Sequence, residues 1–418
     1  MQKIAVIGSG ISGISAAYML DGKYDVTLIE KRPRLGGHTH TFKKEDPLTG
    51  KKIAVDTGFI VFNEKTYPNF CKFIKKLGVS YVDSDMSFSY HENNPLFYYS
   101  SDLWNGLFAQ RSNIFNAKFY GLVKDISAFN ENAKKDIVKG NTKEKTLGEY
   151  IDNYGYGEFF RKKYLYPMAA AIWSSPDKEI SSFPCDSFLR FFNNHGLLDV
   201  NKGPKWKTID GGSSSYIEYF KNIFSGKILK GIGVTGVSRG DKVKVFLENG
   251  DIHDFDKAVI AVHADQAISM LKDPTPDEKR LLGKWTYSKN DTVLHNDDAL
   301  MPPFKRAWAS WNYRNVPEEG AGRVNVTYYM NRLQKFIGTD NYFVSLNQSR
   351  QIKEDKKIFE TVYEHPQYTF ESMETQKELQ KLNGVKNTYF CGSYFGYGFH
   401  EDGIRSSVES LKDLGASL

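Results

Sequence analysis

The sequence predicts an α/β chain: a Rossmann-like dinucleotide-binding domain joined to a second, α+β domain. Three observations lead there. A short, continuously apolar strand, Lys3–Ile7, runs directly into the glycine turn Gly8-Ser9-Gly10-Ile11-Ser12-Gly13. An Ala-rich helical stretch to about Leu20 and a second apolar strand, Asp25–Ile29, complete a βαβ unit whose strands suit a parallel sheet buried on both faces. The remainder runs through helical segments and then alternating strands, and 418 residues make room for two or three domains at about 100–200 residues each.

In the glycine turn, Gly8 permits the tight bend, Gly10 lets the backbone approach a pyrophosphate, and Gly13 allows helix to pack closely on strand. Ser9, Ile11 and Ser12 supply the backbone between them, and the helix start offers free N–H groups and a positive dipole end to phosphate. Glu30, twenty residues past Gly10, closes the second strand with a carboxylate that can accept hydrogen bonds from ribose hydroxyls. With 35 glycines in the chain, about 0.2 such patterns arise by chance, so context decides. Gly231-Ile232-Gly233-Val234-Thr235-Gly236 fits the same pattern but leads into a turn and an alternating strand, not a helix, so it is rejected as a phosphate loop.

The net charge of +6, 56 basic against 50 acidic residues, is spread along the chain, unlike the basic patch of a nucleic-acid binder. Looser attraction to an anionic membrane surface stays open. There is no apolar run of about 18 residues that would span a bilayer. The apolar run Ile4–Ile7 follows Met1 too closely for a signal peptide. Cys71, Cys185 and Cys391 have no metal-ligand spacing and make no disulfide framework, so no metal is expected and a reducing cytoplasm fits.

After Glu30 comes Lys31-Arg32-Pro33-Arg34-Leu35-Gly36-Gly37-His38-Thr39. The diglycine lets a second loop approach a ligand, and the arginines present planar donors to pyrophosphate charge. Glycine turn, acidic strand end and R-x-G-G-x-T together resemble the FAD-binding signature of the amine oxidase and phytoene desaturase superfamily. Further matches are Val55-Asp56-Thr57-Gly58 with Phe59, Trp206 to Tyr216 around Gly211-Gly212, Val234, the strand Ala258–Val262 containing Ala261, and Tyr389-Phe390-Cys391-Gly392-Ser393 with Gly403-Ile404. The resemblance implies noncovalent FAD held by these residues in a discontinuous (GR2-type) domain built from 1–78, 206–268 and 386–418. A substrate domain would comprise 79–205 and 269–385. His38 stands where many members have Arg or Lys after the diglycine, and Ser393 where many have an acid. The ending G-F-H-E-D-G, with G-G-H-T-H-T near the start, is most similar to a bacterial FAD-binding subfamily associated with cyclopropane-fatty-acid-synthase-type methyltransferases.

Between the FAD pieces, helices are expected over 103–108, 115–130, 147–154, 158–172 and 188–195, with a charged loop over 134–145. Strands are expected over 286–294, 306–313 and 323–329. Aromatic residues crowd 97–192, where single rings are ordinary core but the group favours an apolar cavity, with Trp173, Tyr394 and Tyr397 as candidate lining. Arg161-Lys162-Lys163 offers headgroup contacts or simply a solvated helix face. His400 and Glu401 precede a helix expected to aim its N-terminus at the flavin, so His400 is a candidate base or donor with helix capping as the alternative. Lys289 resembles the lysine that some amine oxidases place near the flavin, and His295 is a weaker candidate base on the same strand.

These readings point to an FAD-dependent oxidoreductase acting on a lipid-like, fatty acyl substrate by desaturation or C–H oxidation, with dioxygen or another acceptor reoxidising the flavin. A flavin amine oxidase producing imine and hydrogen peroxide is the first alternative. A redox-neutral double-bond isomerase or a non-catalytic flavin-binding module is the second. Partners are a small-molecule or lipid substrate, with a peripheral membrane contact left open.

Overall fold

A computed structural model describes residues 1–46, 50, 52–173, 180–199, 203–316, 324–336 and 340–418. At its centre lies a five-stranded, wholly parallel sheet in the order Lys227–Lys230, Asp25–Glu30, Lys3–Ile7, Lys257–Ile260, Thr388–Phe390. Ile4, Ala5, Val6, Ala258, Val259 and Ile260 are fully buried, as strands covered on both faces require. Three distant parts of the chain therefore meet in one sheet. The helices Ile11–Leu20 and His400–Ser410 pack on each other beside it, where a Cβ on Gly403 would lie 2.7 Å from Ile11 Cγ2.

A second, seven-stranded mixed sheet runs Lys357–Pro366, Tyr287–His295, Phe343–Leu346, Val326–Tyr329, Trp311–Asn315, Phe88–Asn93, Leu96–Ser100. Helix Tyr166–Trp173, entered through one wide π turn over Arg161–Leu165, packs on it, and helices Ala117–Lys139, Leu147–Asn153 and Cys185–Asn194 share the same hydrophobic core. Several sequence expectations need correction. The stretch read as mostly helical also contributes the hairpin of 88–93 and 96–100, whose aromatic residues pair across strands. The expected loop over 134–145 is helical as far as Lys139 and stops at Gly140, in the left-handed conformation. The strand expected over 306–313 begins only at Trp311, because Lys305–Ala307 forms a short 3₁₀ turn. Arg323, expected to open a strand, lies outside the described residues.

A buried ion pair ties the strand Val234–Arg239 to the helix Pro276–Leu282. The Arg239 guanidinium forks onto the Glu278 carboxylate with both side chains fully buried, and its Nη2 also donates to the Asp273 carbonyl at 2.9 Å. Glu278 closes the capping box of its own helix with Thr275. Burial alone would raise the Glu278 pKa, but the guanidinium holds it below the ordinary value. Glu278→Ala leaves the buried guanidinium with only the Asp273 carboxylate, 3.1 Å from its Nε, and should cost about 3 kcal/mol in a denaturant titration, with Arg239→Met/Glu278→Leu recovering most of it. A single variant as stable as the parent would contradict this role.

Candidate active site

The site lies at the carboxyl ends of the parallel strands, where the first strand turns into the helix Ile11–Leu20. That helix has Gly10 at its N-cap, no side-chain cap and no acidic residue in its first turn, so its positive end is left for a ligand. A Cβ on Gly13 would lie 1.9 Å from the Gly8 carbonyl oxygen, so helix and turn approach as only glycine allows. A Cβ on Gly10 would meet no protein atom within 4 Å. The backbone is closed where the turn is made and open where a phosphate would sit. Glu30 is fixed at the wall, its Oε2 accepting from Ser9 N at 2.9 Å and its Oε1 from Arg32 N at 2.8 Å.

A second loop is drawn in by the diglycine, with Gly36 N donating to Ser9 O at 2.9 Å. Behind it a Cβ on Gly58 would lie 2.1 Å from the His38 carbonyl oxygen. Asp56, just before Thr57-Gly58, locks this region. Its buried carboxylate accepts from Thr41 Oγ1, from Ser213 N and Oγ, and from Gln334 Nε2, joining four separate segments. Burial pushes its pKa up to about 7, while the Thr41 and Ser213 hydrogen bonds pull the other way. The ring of donors favours the ionised form.

One cavity of about 1720 Å³ follows the cradle, well beyond the roughly 300–1,000 Å³ of an ordinary small-ligand pocket. It runs from Lys31, Arg32, Ile232 and Val234 past Gly8–Ser12, Ala261, Gly392 and Ser393 to Gly37, His38 and Thr57–Phe59. It then widens into a lobe walled by Tyr99, Tyr164, Met168, Trp173, Phe191, Trp311 and Tyr328, and it reaches the surface at Trp104. Tyr394, Tyr397 and His400 also stand on its wall. The hydroxyls of Tyr368 and Tyr394, both wall residues, are buried without a hydrogen-bond partner. Of the crowded aromatics, Phe97, Phe160, Phe188 and Phe192 are core and do not reach the cavity.

Seven residues singled out from the sequence stand off the wall. Gly13 and Gly403 serve helix packing, and Ile404 is core. Thr39 lies one layer behind, its hydroxyl 2.7 Å from Tyr216 Oη and 2.9 Å from His400 Nε2. Glu401 caps a different helix: it accepts from Asn69 N and Nδ2 and from Phe70 N at the start of Pro68–Lys76. Lys289 points to solvent, opposite in phase to its buried neighbour Asn290. His295 is a satisfied core residue, its Nε2 2.8 Å from Ser345 Oγ and its Nδ1 accepting from Asp297 N. The N-terminus of His400–Ser410 is also answered within the chain, since Asp402 accepts from Tyr397 N and Phe399 N, so it offers less to a ligand than expected. Arg161, Lys162 and Lys163 are each ion-paired, with Asp152, Glu158 and the buried Glu92.

The strand Lys357–Pro366, which the sequence reading missed, supplies Tyr363, Glu364, His365 and Pro366 to the wall. Its β-branched and aromatic run before Pro366 was the available signal. His38 stacks on Tyr363 at 5.0 Å and donates Nε2–H to the Glu364 carbonyl at 3.1 Å. His365 Nδ1 accepts from Asn290 Nδ2 at 2.9 Å, which places its proton on Nε2. His263 stacks on Tyr287 at 4.3 Å, and His400 stacks on Phe59 at 3.5 Å. Burial lowers the pKa of all four histidines: to about 4 for His263 and His365, to about 3 for His400, and well below the ordinary value for His38. The site is thus lined by neutral imidazoles at pH 7.

A glycine turn at a helix start, a carboxylate at the next strand end, and a long two-part cavity define a dinucleotide-binding oxidoreductase fold. The chain belongs to the flavin containing amine oxidoreductase family, whose sequence profile matches residues 11–292. Its cofactor is FAD, and the open space over Gly10 and the unpartnered hydroxyls in the wall fit such a ligand. A 46-residue segment is 44% identical to L-amino-acid oxidase of Sistrurus catenatus edwardsii, covering 11% of this chain and 9% of that protein. This chain therefore aligns with about a tenth of that curated relative's length. The whole fold is similar to a putative protoporphyrinogen oxidase from Exiguobacterium sp. 255-15 (TM-score 0.69, 14% identity) and to a CLA-producing fatty acid isomerase from P. acnes (TM-score 0.68, 14% identity). Each comparison covers 99% of this chain and 98% of the other.

Two outcomes follow from this geometry. Gly10→Ala should leave the melting temperature of the FAD-free protein unchanged yet bind FAD at least about tenfold more weakly, because only a ligand meets the added methyl group. Gly13→Ala should lower the melting temperature itself. Undiminished FAD affinity in Gly10→Ala would contradict the cradle. The second outcome concerns pH. His263, His365 and His400 take up protons near pH 6.5 when unfolded but only near 4 or below when folded. Their stabilising contribution is therefore present above about pH 6.5 and is lost as pH falls toward about 4. Denaturant midpoints should decline across that window, less steeply in His38→Gln/His365→Gln; a flat profile would refute the assignment.

Proposed function

We propose that this protein is an FAD-dependent oxidoreductase acting on a lipid-like, fatty acyl substrate by desaturation or C–H oxidation. The glycine turn and the uncapped helix end would hold the pyrophosphate, Glu30 the ribose, and the backbone about Val234 the adenine. Arg32 and Lys31 add positive charge at that end. Gly58, Phe59 and His400 would flank the flavin ring, with Thr39 and Tyr216 keeping the neutral His400 imidazole in place. Bound FAD supplies the two-electron acceptor; the chain's own part is to bind, to orient and to exclude water.

The observation that carries the substrate class is the character of the far lobe. Its walls are aromatic and aliphatic, and the aspartates that reach it are already paired: Asp85 and Asp102 with Arg332, Asp199 with Lys134. The remaining wall carboxylate beyond the nucleotide end, Glu364, lies beside His38 and the neutral His263, ahead of the lobe. An ammonium group in the lobe would find its aspartates already taken by Arg332 and Lys134. Among the described residues, Arg32 is the only arginine on the cavity wall, and it lies at the nucleotide end, so an amino-acid carboxylate has no guanidinium in the lobe. An apolar chain needs neither. The sequence similarity to a cyclopropane-fatty-acid-associated subfamily points the same way, and the P. acnes protein's fatty acid isomerisation is chemistry that such a lobe admits.

Amine oxidation is the second reading, favoured by the 44% identity over 46 residues to an L-amino-acid oxidase. Anaerobic mixing of the holoprotein with membrane lipid extract or with an amine and amino-acid panel separates the two. The lipid reading predicts bleaching of the oxidised flavin spectrum by lipid, with a change in acyl unsaturation. Bleaching by amines alone, with peroxide released on admitting air, would overturn it.

A further inference from the structure

The surface where the lobe opens differs from the rest of the molecule. From Leu103 to Lys124 the sequence contains no Asp or Glu. Trp104 is 77% exposed and Phe115 92%, with Ile114, Tyr120 and, from neighbouring segments, Leu96 and Phe304 also exposed. Trp104, Ile114 and Tyr120 line one shallow depression with Phe108, and Phe115 follows Ile114 in the same short 3₁₀ turn. The Trp104 ring stacks on Phe108 at 5.9 Å, Gln110 Nε2 donates to the Leu96 carbonyl at 3.1 Å, and Arg306 Nε donates to the Ala109 carbonyl at 2.6 Å. Isolated exposed apolar residues need no explanation, but a contiguous cluster does.

The charge on this face is of one sign. Arg111, Lys118, Lys124, Lys305 and Arg306 pair with no carboxylate among the described residues. Arg111 donates only to Asn105 Oδ1 and the Phe108 carbonyl, and Lys305 and Arg306 lie over the rings of Trp308 and Phe304. At residues 161–163, by contrast, each basic side chain meets a carboxylate. Trp104 belongs at once to the cavity wall and to a shallow surface depression with Phe108, Arg111, Ile114 and Tyr120. The lobe therefore opens within the apolar, cationic face.

We infer that this face docks on an anionic lipid bilayer, so that an acyl chain passes from the membrane past Trp104 into the lobe without crossing water. The inference rests on the lipid reading above and adds where the substrate is held. Aromatic side chains insert at the boundary between headgroups and acyl chains, and the surrounding cations meet phosphate charge. A protein seated here would plug the opening, whereas a bilayer would feed it.

The test is co-sedimentation of the FAD-loaded protein with phosphatidylglycerol/phosphatidylcholine vesicles and with phosphatidylcholine vesicles alone. Binding to the anionic vesicles should weaken as salt is raised. Phe115→Ser, and separately Arg111→Glu/Lys118→Glu, should each reduce it at least about tenfold while retaining flavin and melting temperature. Equal binding by the variants, or no preference for anionic vesicles, would overturn the inference. Flavin bleaching by detergent-dispersed lipid in a protein that ignores vesicles refutes the docking face and leaves the lipid reading standing. Vesicle binding that depends on Phe115 with no bleaching by any lipid upholds the docking face and refutes the lipid reading.

Discussion

The structure depends on two places where backbone meets backbone more closely than any side chain permits: Gly13 against the carbonyl of Gly8, and Gly58 against the carbonyl of His38. The first sets the helix end over the strand ends, and the second seals the loop that forms the cavity's middle wall. Between them the backbone stays open above Gly10. A dinucleotide is long and doubly charged, and what it requires of a protein is an unobstructed track with donors at its centre. Parallel pairing of strands from 3–30, 227–260 and 388–390 supplies that track from three distant parts of the chain.

Along the rest of the cavity, charge has been neutralised except at Glu364, which lies beside His38 and His263. Asp85, Asp102 and Asp199 are paired, the wall histidines are held neutral by burial, and the positive end of the C-terminal helix is met by Asp402. Paired ions and neutral imidazoles make a low-polarity lobe, in which an apolar chain loses little and a charged group would lose its hydration without a partner. The other exception is the outer rim near Trp104, where cations are left unmatched. Apolar interior and cationic rim are two consequences of one allocation of charge.

What could be read in the sequence was what depends on local sterics. The glycine turn, the strand leading into it and the acid twenty residues on are dictated by backbone geometry, and the structure has them between the expected strand and helix. The decoy at Gly231 leads into a strand, as its context indicated. Side-chain roles set by distant partners were not legible. Glu401 looked chemical beside His400, but its partners are the backbone groups of Asn69 and Phe70, at the start of a helix over 300 positions away in sequence. Lys289 was misjudged by one residue of strand phase, since only its neighbour Asn290 faces inward. Tyr363 and His365 went unnoticed because their strand joins the wall only by pairing with Tyr287–His295. The hairpin 88–100 was missed because its aromatic run suits helix and strand alike until a partner strand selects one.

The most direct measurement is an electron-density map of the purified holoprotein. The account predicts FAD stretched along the whole track, its adenine beside Ile232 and Val234, its pyrophosphate above Gly10 and its ring between Gly58 and His400, with the lobe beyond open or filled by an acyl chain. A nicotinamide nucleotide in the glycine turn, or a flavin whose ring lies away from the lobe, would contradict it.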